Sequence, residues 1–313
     1  MLTTHKSEIN HEIHIYSNLE SIADNYKAVL LDAHGVFWGG NGIGLLPGCR
    51  ATMDSLVKKG KTVGVLSNTT QIARNEIEKL KAHGLIEGVH FHFFLTSGEV
   101  SKRMFLESEL PFPTSKKKYY LFGKVHPKFS SHHTIFEGSS FQETSNLKDA
   151  DFIYISIPHI NGVDQTDPSL FLEDLDKIMH AQLPMLCTNP DQYAQEGNPA
   201  KAVVRQGIIA VMYESLGGKV YYIGKPSKGM FQAAMEKFNH YEISNPGDVL
   251  MVGDTPETDV RGAKKFGMPS ALVLKTGIMA ERISKMGLKS ILEVLSADDY
   301  PNYFIESMGK NEL

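Results

Sequence analysis

A chain of 313 residues with 32 basic and 36 acidic side chains carries a formal charge of −4. That balance gives no electrostatic footprint for a nucleic-acid polymer or an anionic membrane surface. Hydrophobic residues make up 42% and charged residues 22%, the composition of a soluble globular protein long enough for two domains of about 100–200 residues each. The two cysteines, Cys49 and Cys187, are too few for a disulfide framework. They fit a reducing, cytoplasmic setting and read as small buried side chains.

The first 25 residues are polar, lack the apolar run of a signal peptide, and read as an arm with a helix near residues 18–26. No apolar run approaches the ~20 residues that cross a bilayer. Lys27–Asp32 (KAVLLD) is a buried strand, followed by a glycine-rich stretch from Gly35 to Gly48 and a helix over Arg50–Lys59. Lys61–Ser67 is the second strand, Gln71–His83 a helix closed by Gly84, and His92–Thr96 the third strand. A helix begins at Gly98 and runs to Glu107.

The texture then changes at Pro111, Pro113 and the Lys116–Lys118 run. A second set of elements follows, with strands at Tyr119–Phe122, Phe152–Ile157 and Met185–Thr188 and helices near Ser169–His180 and Gly207–Leu216. Val220–Ile223 is expected to return to the first domain, before a helix from Lys228, strand Val249–Val252, a helix from Glu257 and strand Ala271–Leu274. Short apolar runs alternating with helix-period segments predict an α/β chain. The expected architecture is a Rossmann-like, doubly wound parallel sheet core, split over residues 1–98 and 222–313, with an inserted α/β cap domain over 99–221.

Four polar segments fall at the carboxyl ends of predicted strands, the edge where open α/β sheets bind ligands. Asp32 sits at its strand tip before Gly35 and is a candidate carboxylate nucleophile; the plain alternative is a turn or cap aspartate. Ser67 and Asn68 follow the second strand and can donate to a phosphate oxygen, alongside an ordinary N-cap from Thr69 or Thr70. Lys225 lies between Gly224 and Pro226. It can neutralise a phosphate oxygen and the Asp32 carboxylate, or it is a solvated surface charge. Asp254 and Asp259 straddle a Thr255–Pro256 turn; such hard oxygen ligands suit Mg²⁺, although acidic residues also favour helix starts.

Aspartate, hydroxyl, lysine and acidic pair, in that order, resemble the haloacid dehalogenase (HAD) superfamily. The long insertion, Gly224-Lys225-Pro226-Ser227, Thr258-Asp259-Val260 and Thr188-Asn189-Pro190-Asp191 look like class IIA, the branch of nucleotide, sugar-phosphate and p-nitrophenyl-phosphatase-like enzymes. The resemblance spans residues 27–280 and leaves the N-terminal arm and the last thirty residues outside. It implies that Asp32 attacks phosphorus to form an aspartyl-phosphate, and that Ser67 and Lys225 hold the transferring oxygens. Mg²⁺ binds through Asp32, the His34 carbonyl and Asp254, with Asp259 in support. The cap then selects substrate, with Asn189 and Asp191 as candidate contacts and Asn68 beside Ser67. Relatives of this class are often dimers through the cap, so a homodimer is a further expectation.

One position departs from the pattern. Phosphatases of this kind carry Asp-x-Asp, where this chain has Asp32-Ala33-His34. Three readings stand. His34 serves as acid–base, since imidazole exchanges protons near neutral pH; or it is inert and limits the enzyme to good leaving groups; or the pocket binds a phosphorylated metabolite without turnover. The expected function is Mg²⁺-dependent hydrolysis of a small phosphate monoester, a sugar phosphate or nucleotide monophosphate. The alternative is a weak or inactive binder of such a ligand.

Other features are set aside. Gly39–Gly44 does not meet the spacing of a dinucleotide fingerprint and reads as a mobile flap, with Trp38 shielding the nucleophile. His90, His92 and the His132-His133 pair lack nearby cysteines or a repeated spacing, so they read as satisfied or solvated histidines rather than metal ligands. A receiver domain has no insert of this length, and a dehalogenase has no call for the acidic pair.

Overall fold

The structure is a computed structural model that describes residues 13–40, 42–197 and 201–310. Asn41, in the glycine-rich stretch, and the first twelve residues of the expected arm lie outside the described residues. A seven-stranded sheet is built from β1 (Ile15–Asn18), β2 (Ala28–Leu31), β3 (Thr62–Ser67), β4 (Phe93–Thr96), β12 (Val249–Gly253), β13 (Ser270–Val273) and β14 (Tyr303–Ser307). Its order is β1-β14-β13-β12-β2-β3-β4, and every pairing is parallel.

The central strands are buried along their whole length, as expected where helices cover both faces of a parallel sheet. Side chains alternate across it. Ala28 and Leu30 join one apolar cluster, while Val29 and Leu31 join the other. Helices α1 (Glu20–Ala23), α2 (Cys49–Lys58) and α3 (Ala73–Ala82) carry the second face, and α4 (Ser97–Glu107), α8 (Lys228–Asn239) and α9 (Arg261–Phe266) the first.

Residues between these halves form a five-stranded parallel sheet of β5 (Lys118–Phe122), β6 (Gln142–Thr144), β7 (Phe152–Ile155), β8 (Met185–Cys187) and β11 (Val220–Tyr222), in the order β11-β8-β7-β5-β6. Helices α5 (His133–Phe136), α6 (Leu172–Met179) and α7 (Gln206–Ser215) pack on it. An antiparallel hairpin of β9 (Tyr193–Glu196) and β10 (Lys201–Val204) projects from it. Helices α10 (Gly277–Met286) and α11 (Leu288–Val294) complete the chain before β14. The apolar cluster under β2 continues through Phe105 of α4 to Tyr119, Phe136 and Phe152 of the second sheet. The two sheets are therefore braced by one continuous apolar mass.

The α/β class and the parallel core match the expectation from sequence, and the inserted residues form the second parallel sheet. Four details differ. The arm is not free from residue 13 onward: β1 adds to the sheet edge against β14, and the helix is a single turn over Glu20–Ala23. Val220–Tyr222 does not return to the core sheet but pairs with β8 at the edge of the cap sheet. The last thirty residues contribute β14, inserted between β1 and β13. The line drawn at residue 98 cuts the start of α4, which begins at Ser97.

Both cysteines are buried and unbridged. Burial pushes the Cys49 thiol up to about 12, so it behaves as a small apolar side chain. Among the described residues, no helix is long and apolar enough to cross a membrane.

Candidate active site

The chain leaves β2 toward β3 on one side and returns through β12 on the other. This reversal of strand order opens a crevice at the carboxyl ends of β2 and β12. Asp32 and Asp254 emerge there, one residue beyond each strand. A cleft of about 1250 Å³ lies above them, bordered by Asp32, His34, Ser67, Asn189, Asp191 and Asp254.

Three carboxylates meet at its floor. Asp32, Asp254 and Asp259 each bring an oxygen within 4.8 Å of the others, and all three are buried. The Lys225 ammonium donates to Asp32 Oδ1 at 2.6 Å and to Asp259 Oδ1 at 2.7 Å. Lys225 is 1% exposed, so the reading of a solvated surface charge is wrong. Burial works against its charge, but Asp259, Asp32 and Asp191 more than offset this and hold its pKa above the ordinary lysine value.

Asp259 sits on a π-helical turn over Pro256–Val260, a rare geometry that recurs at functional sites. Its Oδ2 accepts from the Thr255 backbone N–H at 3.1 Å, so both of its oxygens are already engaged. Asp254 is held differently. Its Oδ1 accepts from the Thr255 hydroxyl at 3.0 Å, and its Oδ2 accepts from Ile278 N at 2.7 Å. Two glycines make room for that carboxylate: a Cβ on Gly35 would stand 2.1 Å from Asp254 Oδ2, and one on Gly277 would stand 1.9 Å from it. Burial, reinforced by Asp32 and Asp259, pushes the Asp254 carboxyl well above the usual range. Desolvation likewise raises Asp32 and lifts Asp259 to about 6. Three buried carboxylates sharing one ammonium leave a site short of positive charge. A hard divalent cation fits that donor set, and Mg²⁺ takes carboxylates together with waters and phosphate.

His34 lies at the rim of this floor. Desolvation pushes its pKa down to about 3, with Lys79, Arg205 and Lys225 adding repulsion. The imidazole is therefore neutral at neutral pH and a weak base. Ser67 is buried at the cleft wall, and its Oγ accepts from Thr69 N at 3.3 Å.

Asn68 departs from its expected substrate contact. It is 1% exposed and points beneath the floor. Its Oδ1 accepts from Lys225 N at 2.6 Å, and its Nδ2 donates to Lys225 O at 3.2 Å and to Asp191 Oδ1 at 2.8 Å. Asn68 thus positions the lysine and ties core to cap. Asn189 and Asp191 border the cleft, yet Asn189 Oδ1 caps its own turn through Asp191 N at 3.0 Å. The flap does not swing free at its base either: Trp38 is 2% exposed, and Leu46 N bonds Phe37 O at 2.9 Å.

Sequence reading missed two groups. Thr276 and Gly277 form a fifth polar segment at a strand end, the rule that found the other four. The Thr276 hydroxyl donates to Gly35 O at 2.5 Å. Arg205 follows β10, is 5% exposed, and pairs with Asp164 at 3.0 Å and Glu196 at 3.1 Å inside the cleft wall. A lone arginine after an apolar run gave no comparable signal.

Comparison with known proteins agrees with this geometry. Residues 222–296, which carry Lys225, Asp254 and Asp259, match the HAD-hydrolase-like family model. The chain is 23% identical over 294 residues to chronophin from Bos taurus, covering 93% of this chain and 94% of that protein. It is 25% identical over 321 residues to a 4-nitrophenylphosphatase from Schizosaccharomyces pombe, covering 92% and 93% respectively. The fold is similar to that of a haloacid dehalogenase-like hydrolase from Brucella suis, with a TM-score of 0.75 at 20% identity over 94% of this chain and 100% of that one.

Proposed function

We propose, from its similarity to the HAD-like hydrolases, that the chain is a Mg²⁺-dependent phosphatase of a small phosphate monoester, acting through an aspartyl-phosphate on Asp32. The observation that carries this reading is the buried trio Asp32, Asp254 and Asp259 around Lys225 at the floor of a large cleft.

Phosphoryl transfer needs positioning and charge neutralisation more than elaborate covalent chemistry. In the proposed reaction an Asp32 carboxylate oxygen attacks phosphorus, and the ester P–O bond breaks. The leaving oxygen departs as the anion and takes its proton from solvent water. Water then attacks the acyl phosphate, releasing inorganic phosphate and restoring the carboxylate. The Ser67 hydroxyl donates to a phosphoryl oxygen. Lys225 holds Asp32 in its attacking orientation through the 2.6 Å contact and keeps positive charge beneath the transferring group. Asp259 and Asn68 fix the lysine at its two ends. Asp32 and Asp254 would hold Mg²⁺ with Asp259 behind them; when bound, the ion neutralises charge that develops on the phosphoryl oxygens. Neutral His34 can accept a hydrogen bond from the attacking water and orient it, but its lowered basicity leaves the proton to solvent.

The cleft volume and its mixed rim of Lys201, Lys275, Arg282, Glu257 and Glu281 suit a polar organic phosphate such as a sugar phosphate or nucleotide monophosphate. The direct test is hydrolysis of a phosphate-ester panel with Mg²⁺, then with EDTA, beside Asp32→Asn. Turnover should require the metal, and Asp32→Asn should lose it by several orders of magnitude. Full turnover by Asp32→Asn overturns the proposal. Tight ligand binding with no phosphate ever trapped on Asp32 would replace it with a non-catalytic binder.

A further inference from the structure

We propose that the cap carries a second metal site, selective for Zn²⁺, formed by His132, His133 and Glu143 and separate from the catalytic cleft.

The three residues come from the turn that opens α5 and from the edge strand β6. His132 Nε2 and His133 Nε2 both face the same oxygen, Glu143 Oε2, at 2.8 and 3.0 Å. All three donor atoms lie within 4.8 Å of one another. A tetrahedron with metal–ligand arms of ~2.1 Å has edges of about 3.4 Å, so the two imidazole–carboxylate separations need to open by about 0.4–0.6 Å to enclose an ion. Two imidazoles and one carboxylate, with a position left open to solvent beside exposed His133, is a donor set that suits Zn²⁺ and is poor for Mg²⁺.

The surroundings set the rings as a metal site would. Ser131 Oγ lies 2.9 Å from His133 Nδ1 and can take its proton, leaving the Nε2 lone pair for the ion. The His132 side chain is 6% exposed, with Nε2 aimed at the cluster. Its Nδ1 is buried and has no partner among the described residues. His132 also borders a cavity of about 20 Å³ shared with Ser130 and Gln206, room for one water able to accept that proton. Tyr119 and Tyr154 pack against the His132 ring, at centroid distances of 5.9 Å each, and lock its orientation.

The placement gives the site a consequence. Ser130, two residues before His132, joins the cap to the core: its N–H donates to Gln71 Oε1 at 3.0 Å, and its hydroxyl accepts from Asn75 at 3.0 Å. An ion at the histidines fixes the cap end of that junction to β6.

The test is spectroscopic, with turnover as a control. Cobalt(II) is added to the full chain in excess Mg²⁺, because a tetrahedral nitrogen-ligated cobalt absorbs strongly in the visible and an octahedral oxygen-ligated one does so weakly. The wild type and Asp254→Asn should both give the tetrahedral band, and one equivalent of Zn²⁺ should erase it. His133→Ala, a change at an exposed side chain, should lose the band while keeping Mg²⁺-supported turnover, and Glu143→Gln should weaken it. No band in the wild type, its persistence in His133→Ala, or its loss in Asp254→Asn would each overturn the proposal.

Discussion

His34 occupies the place where a carboxylic acid would protonate the leaving oxygen. Desolvation and neighbouring cations keep its imidazole unprotonated at neutral pH, so it has no proton to give. The enzyme should therefore hydrolyse aryl phosphates, whose phenolate leaves unaided, far better than alkyl phosphates. Positioned acid catalysis is worth ~10²–10⁴ in rate. His34→Asp should raise kcat on an alkyl phosphate by at least ~10-fold and change aryl phosphate turnover little; equal effects on both substrates would refute this account. A second residue-scale prediction concerns Gly277, whose φ of 63° and contact with Asp254 leave no space for a side chain. Gly277→Ala should displace the Asp254 carboxylate and raise the Mg²⁺ concentration needed for half-maximal rate, with the circular dichroism spectrum unchanged. Asp32, Ser67, Lys225 and Asp254 were legible because each ends or follows an apolar strand. The role of Asn68 was not, because whether an amide faces ligand or backbone depends on a partner 157 residues away in sequence.

At the scale of elements, the strands buried on both faces were the easiest to read, since VLLD, TVGVLS and VLMVGD are nearly continuous apolar runs. The edges were not. β1 and β14 have mixed burial, and their sequences, IYSN and YFIES, carry no alternation long enough to separate them from loops. Their place depends on each other and on a local anchor. Arg261 of α9 makes a paired contact with Asp299, Nε to Oδ1 and Nη2 to Oδ2 at 2.8 Å each, just before β14. Burial would raise the Asp299 carboxyl, but the bonds from Arg261 and Ser296 more than offset it and hold it below the usual range. A depressed carboxylate stabilises the fold at pH values above ~3.9 and loses that contribution as pH falls through its folded value. Asp299→Asn should cost about 1–2 kcal/mol at pH 7, toward the low end because Arg261 is partly exposed. The gap from wild type in urea denaturation should narrow as the solution is acidified through the carboxylate range; a constant gap would show that charge is not the source.

For the whole molecule, the proposed function makes the contacts between the second sheet and the core the means of holding substrate. The β9–β10 hairpin reaches across the cleft mouth: the Gln195 amide donates to Glu281 of α10, and Gly40 of the flap lies against Gln195 O. At the other end Asn68 and Asp191 join core to cap at 2.8 Å. The sequence could place an insertion but not this clasp, because YAQE of β9 carries no strand periodicity and the partner of Gln195 is 86 residues away. A cap closed by such contacts shields the reacting groups from water and retains substrate. Asp191 sits beside the machinery, whereas Gln195 touches only the rim, so Gln195 isolates the closing term. Gln195→Ala removes one hydrogen bond to a charged partner, worth about 1–2 kcal/mol at a partly solvated rim. Because that bond holds the closed form rather than the transition state, its loss should raise KM by roughly 5–30-fold with kcat within a factor of about two. Steady-state kinetics on an aryl phosphate separates the two constants. A fall in kcat at constant KM would mean instead that the hairpin acts on the chemical step, and the clasp would have to be read as part of the catalytic geometry.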